Sequence, residues 1–121
     1  MPAPTVPTVA SMETARVFYT ASTVQWTGTM VPLGVWIAPT ADPTCFKLLA
    51  LQRAMGKAGL QDFDIWRNTD GLRLRAMCFA CSQSGVRKKA ARLASLTAHF
   101  LGFATGLSEL RDLAAVERTL T

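Results

Sequence analysis

FDIWRNTDGLRLRAMCFA, residues 63–80, is the stretch on which the fold turns. Two runs rich in aromatic and apolar residues flank Asn68-Thr69-Asp70-Gly71, which has the residue types of a type I turn closed by a glycine in the left-handed region. The pattern predicts a β-hairpin of Phe63 to Arg67 and Leu72 to Ala80. Pairing through this turn is expected to put Trp66, Leu72, Leu74, Ala76 and Cys78 on a core face. Phe63, Ile65, Arg67, Arg73, Arg75, Met77 and Phe79 would occupy the other.

Upstream, Asp42-Pro43 reads as an N-cap followed by proline at the first helical position, so a helix is expected from Pro43 to about Lys57. Its apolar face is supplied by Cys45, Phe46, Leu48, Leu49, Leu51, Ala54, Met55 and Ala58, and Gly56 and Gly59 end it. Before it, Ala15 to Trp26 and Met30 to Ile37 read as two strands joined through Thr27-Gly28-Thr29. Pro32 points to an edge position or a bulge in the second. Pro2, Pro4 and Pro7 make residues 1–12 an extended, flexible arm.

Downstream, Ser82 or Ser84 can cap a helix running from near Gly85 to about Gly102, with Val86, Ala90, Leu93, Leu96, Thr97, Phe100 and Leu101 facing inward. A final helix is expected from Ser108, as cap, to Arg118. The order is therefore ββαββα plus a terminal helix. The expected fold is α+β, a single domain over 13–121 with a four-stranded antiparallel sheet and helices on one face.

Composition bounds the rest. Of 121 residues, half are apolar and 17% charged, enough to bury about two-thirds of the unfolded surface in one core. The charge deficit hints at a covered interface. Three cysteines, an odd number, suit reduced thiols in a cytoplasmic or other reducing compartment better than a disulfide framework. The N-terminal residues have neither the basic nor the apolar segment of a secretory signal, and Leu93 to Leu107 is too short to span a bilayer. No membrane partner is expected.

Charge is unevenly placed. Between Gly71 and Ser108 there is no acidic residue, but there are six basic ones: Arg73, Arg75, Arg87, Lys88, Lys89 and Arg92. Arg87, Lys88 and Lys89 fall in the first turns of a helix, where exposed amides already carry partial positive charge. Such an end either leaves its cations solvated or joins them with Ser82 and Ser84 to hold an anion. Arginines interleaved with Phe79, Phe63 and Met77 on the outer hairpin face would suit single-stranded nucleic acid, unless that face is a second packed layer.

Cys81-Ser-Gln-Ser-Gly-Val-Arg87 has the spacing C-x5-R between an expected strand and an expected helix. It resembles the phosphate-binding loop of the cysteine-dependent phosphatases and, more loosely, the active loop of rhodaneses. That resemblance implies Cys81 as a thiolate nucleophile and Arg87 as the group gripping an oxyanion. Ala80 stands where the phosphatases carry His, and Lys88 where they carry Ser or Thr. Cys45, Cys78, Cys81 and His99 make a formal zinc set, but strand residues three apart point to opposite faces. A buried Cys78 and a helix-start Cys81 fit better, and no metal or cofactor is implied.

The leading expectation is a basic, non-catalytic module that meets nucleic acid or another phosphate-bearing partner through Arg73, Arg75, Phe79, Ser82, Ser84, Arg87, Lys88, Lys89 and Arg92. The alternatives are a structural subunit of a homo-oligomer or larger assembly, suggested by the small-residue-rich stretch Ala94 to Leu107, and the cysteine-dependent enzyme.

Overall fold

The structure, a computed structural model, describes residues 14–22 and 28–121. The expected arm, 1–12, lies outside the described residues, as do residues 23–26 of the expected first strand and residue 27 of the expected turn after it. The described elements run ββαββαβα: β1 (Ala15–Tyr19), β2 (Thr29–Ile37), α1 (Cys45–Lys57), β3 (Leu60–Asn68), β4 (Gly71–Ala80), α2 (Gln83–Leu101), β5 (Thr105–Glu109) and α3 (Leu113–Thr119). The strands form one sheet in the order β3-β4-β2-β1-β5. The α+β class read from the sequence holds.

The hairpin forms as expected, in a different register. Asn68 pairs with Gly71, so the loop has two residues, and Trp66 faces Arg73 while Ile65 faces Leu74. Directly opposed residues share a sheet face. Trp66 therefore lies with the arginines, and Ile65 and Arg67 lie with Leu72 and Leu74, the reverse of the expectation. An irregularity between Gln61 and Asp64 shifts the parity again, so that Leu60 still pairs with Cys78 on the core side. Gly71 anchors this arrangement. Its φ is +131°, and a Cβ there would lie 2.2 Å from the Ile37 carbonyl oxygen.

β2 is central, not at an edge, and Pro32 is buried within it. Pairing with β1 ends at Phe18↔Gly34, so at Pro32 the β1 side of the ladder is already open. A residue without an N–H is tolerated there.

α1 begins two residues later than expected. Thr44, not Asp42, is the N-cap, its Oγ1 accepting from the Lys47 amide at 3.2 Å, and Asp42 has a positive φ. α2 is capped by Ser82, whose Oγ accepts from the Gly85 amide at 3.0 Å, and ends at Gly102 in the left-handed region.

The expected last helix, Ser108 to Arg118, is in fact a strand followed by a shorter helix. Residues 105–109 pair in parallel with β1, from Ala15↔Thr105 to Tyr19↔Glu109, which makes the sheet five-stranded and mixed. Asp112 caps α3, accepting from the Ala115 amide at 2.8 Å. Gly106 and Ser108 have little strand preference of their own, so the pairing partner decides.

One face of the sheet, carrying Val17, Val31, Leu33, Val35, Ile37, Ala76 and Cys78, is buried beneath α1 and α2, which add Leu51, Met55, Val86 and Leu93. The opposite face carries α3, a departure from helices on one face only. Gly34 makes room for it: a Cβ there would lie 3.0 Å from Leu120 Cδ2 and 3.1 Å from Thr119 Oγ1. No helix among the described residues is long and apolar enough to cross a membrane.

Candidate functional site

The six cations of the acid-free stretch have different fates in three dimensions. Arg73 and Arg75 alternate with core residues on β4 and project toward the α3 side of the sheet. There Arg73 makes two bonds to Asp70, at 2.8 and 3.0 Å, and donates from Nε to the Thr119 carbonyl at 2.8 Å. Its side chain is only 11% exposed. Arg75 is ion-paired with Asp64. Each arginine also keeps one buried nitrogen without a hydrogen-bond partner among the described residues, Nη1 of Arg73 and Nε of Arg75.

Arg87 leaves the first turn of α2 toward the end of β5. Its Nε and Nη2 donate to the two carboxylate oxygens of Glu109 at 3.0 and 3.3 Å, and Tyr19 donates to the same carboxylate at 3.0 Å. The Arg87 guanidinium, then the Tyr19 hydroxyl, hold the Glu109 carboxyl below the usual carboxylate range. Burial, reinforced by Glu109, raises the Tyr19 hydroxyl. Lys89 donates to the Ala58 carbonyl at the C-terminal end of α1, where the helix dipole favours a cation. Two charges that would burden the start of α2 are thus stabilised by other elements.

Lys88 and Arg92 stay exposed and make no ion pair among the described residues. They stand four apart on one face of α2. The hairpin face is not a continuous aromatic surface either. Phe79 is 54% exposed, whereas Phe63 is half-buried against the core under α1.

At the C-x5-R loop, Cys81 and Ser84 are exposed at the start of α2 around an open depression of about 400 Å³ that also includes Arg87. Ser82 Oγ is engaged by the Gly85 amide, and the Arg87 guanidinium faces Glu109. Cys78 is buried, and burial raises its thiol pKa. Cys45 opens α1, while His99 lies near the other end of α2. Among the described residues no three His, Cys, Asp or Glu side chains are grouped to hold a metal ion.

What the sequence reading missed is the contribution of α1. The two helices that cover the sheet contain seven basic residues and no acidic one, leaving six basic and eight acidic residues in the rest of the chain. The net charge of +5 therefore belongs to the α1/α2 layer. The signal was available: residues 43–61 form a second stretch without Asp or Glu.

Between the two helices runs an open groove of about 590 Å³. Ala50, Ala54 and Ala58, spaced one turn apart, keep its α1 side low. Arg53, Lys57 and Arg92 line one end, and Phe46, His99 and Phe100 the other. Among the described residues no carboxylate lines it. Phe46 is 76% exposed, and His99 meets Phe100 edge to face, with ring centroids 4.9 Å apart. Compared with protein-family models, curated proteins and solved structures, the chain matches none.

Proposed function

We propose that this protein is a non-catalytic binding module for a phosphate-bearing polyanion, which it meets with the α1/α2 layer. The observation that carries the reading is the segregation of charge. Arg73, Arg75 and Arg87 are each met by a carboxylate. Lys47, Arg53, Lys57, Lys88 and Arg92 share a layer containing no acidic residue and make no ion pair among the described residues. Arg53 with Lys57, and Lys88 with Arg92, are like-charged pairs at i, i+4, which disfavour the helices that carry them. A polyanion laid across the layer removes that repulsion and releases its own counterions.

Titration with inorganic polyphosphate at increasing salt tests this. Binding should weaken steeply with salt, and Lys88→Ala with Arg92→Ala should lower the slope of log affinity against log salt by roughly 1.5. Binding insensitive to both salt and these substitutions would overturn the reading.

A second reading, docking of a partner protein or a second copy, is supported by a different surface. Leu49 and Ile65 are each 47% exposed and border an apolar hollow of about 250 Å³ reaching Leu48, Phe63 and Leu74. The small-residue-rich stretch Ala94 to Leu107 supports it less: it spans the end of α2, the Gly102 cap and part of β5, and its one large apolar residue with substantial exposure is Leu107, at 40%. Sedimentation of the wild type beside Leu49→Glu tests it, because a concentration-independent monomer with no change in the variant removes self-association.

A further inference from the structure

Resting on the polyanion reading, we propose that the α1/α2 groove is a seat for single-stranded nucleic acid, with a base against Phe46 and Phe100 and the adjoining phosphates on Arg53, Lys57 and Arg92. The groove is divided along its length as such a ligand is divided. Its aromatic end offers the exposed ring of Phe46 beside Phe100. Its cationic end offers three side chains with no carboxylate among the described lining residues to compete. A nucleobase supplies a flat apolar face and its backbone a phosphate within the same small unit, so one ligand satisfies both ends.

Alternative polyanions use only half of this arrangement. A bare phosphate chain has nothing to place on Phe46, and a base-paired duplex keeps its bases stacked away from a side chain on the surface. The Ala50, Ala54 and Ala58 positions matter for access. Their short side chains leave the depth in which a ring can enter between Phe46 and the α2 wall, whereas large residues there would level the two helices into one surface. The Phe100 ring is held in orientation by its edge-to-face contact with His99.

The test compares a short fluorescent oligothymidylate with inorganic polyphosphate on the full chain, at matched phosphate concentration and salt. The oligonucleotide should bind about tenfold more tightly, and Phe46→Ala should remove that advantage while leaving polyphosphate affinity unchanged. Phe46→Trp should restore it. Phe46 is largely exposed, so the variant remains folded, and unchanged thermal unfolding checks this. Arg53→Ala with Lys57→Ala and Arg92→Ala should lower the salt slope for the oligonucleotide by about two, given three phosphate contacts on a single strand. Arg111→Ala, 88% exposed beyond β5, serves as the control for lost charge and should change it little.

Equal affinity for the two probes, with Phe46→Ala silent, overturns the groove and leaves the polyanion reading standing. Duplex DNA bound as tightly as the single strand overturns it in the same way. Failure of both probes to bind at low salt removes both proposals. An acidic peptide whose binding needs Phe46, with oligothymidylate unbound, replaces nucleic acid by a protein partner.

Discussion

The arginines on the α3 side of the sheet and the exposed cations of the α1/α2 layer are treated in opposite ways. On the α3 side, Arg73 and Arg75 are each tied to a carboxylate of the same hairpin, Asp70 and Asp64, and Arg73 is further fixed to the backbone carbonyl of Thr119. On the α1/α2 side, Arg53, Lys57, Lys88 and Arg92 project from helices that contain no carboxylate. The difference separates charges that organise the fold from charges that make no ion pair among the described residues. Side chains of one chemical type have different surroundings because one set has acidic neighbours, Asp64 on the adjacent strand and Asp70 in the turn, and the helices that carry the other set have none.

The most disruptive way to break this comparison is at Gly71, which starts β4 and fixes its parity. Gly71→Ala adds a Cβ 2.2 Å from the Ile37 carbonyl at a φ of +131°, and it should destabilise the protein by about 3 kcal/mol, measured by urea unfolding. A milder intervention is Arg73→Ala, which removes the bonds to Asp70 and Thr119. A loss of about 1.5–3 kcal/mol is expected, with polyphosphate affinity nearly unchanged. Gly34→Ala places its Cβ against Leu120 and Thr119, and unfolding should show a cost of about 1 kcal/mol as the end of α3 is pushed outward.

Acid should erode the ion-paired carboxylates first, on whichever side of the sheet they lie. The Asp70 carboxyl is held below its ordinary range by Arg73, and that of Glu109 by Arg87 and then Tyr19. A carboxyl whose folded pKa is depressed contributes stability that is fully present above its unfolded value and is lost as pH falls through the folded one. Urea midpoints should therefore decline below the ordinary carboxylate range, and Glu109→Gln should flatten that decline. The smallest effect on stability belongs to the helical layer. Arg53→Ala, Lys57→Ala and Arg92→Ala should each change it by no more than about 0.5 kcal/mol, even as the salt dependence of oligonucleotide binding falls. A large stability change in these variants would erase the distinction between the two sides.

Local chemistry made much of this legible beforehand. The turn at 68–71, the Ser82 cap with the Gly102 stop, and the inward positions Val86, Ala90, Leu93, Thr97 and Leu101 depend on residues within a few positions of one another, and all are present. The register of the hairpin was not legible, because a two-residue and a three-residue loop use similar residue types and differ only in parity. β5 was not legible either. Five residues including Gly106 and Ser108 become a strand because β1 offers an unpaired edge, a partner some ninety positions away.

The site followed the same division. The acid-free stretch 71–108 was visible, and it suggested one basic segment; folding split that segment between the two sides of the sheet and supplied Asp64, Asp70 and Glu109 from outside it. Phe46 was read as part of the apolar face of its helix and is instead 76% exposed, and the place of Arg53 and Lys57 at a groove emerged only once α2 was laid beside them.

By itself, then, the sequence determined the α+β class, the two long helices apart from the start of α1, and the absence of acidic residues from both, since periodicity, capping and composition are properties of short stretches of chain. Only the tertiary structure decided which cations are neutralised, which face each β3 side chain occupies, and that the two acid-free helices lie side by side around a groove. The Arg87–Glu109 pair, the strand register and the groove are formed between segments that meet only in the folded chain, and their energies exist only once those segments meet.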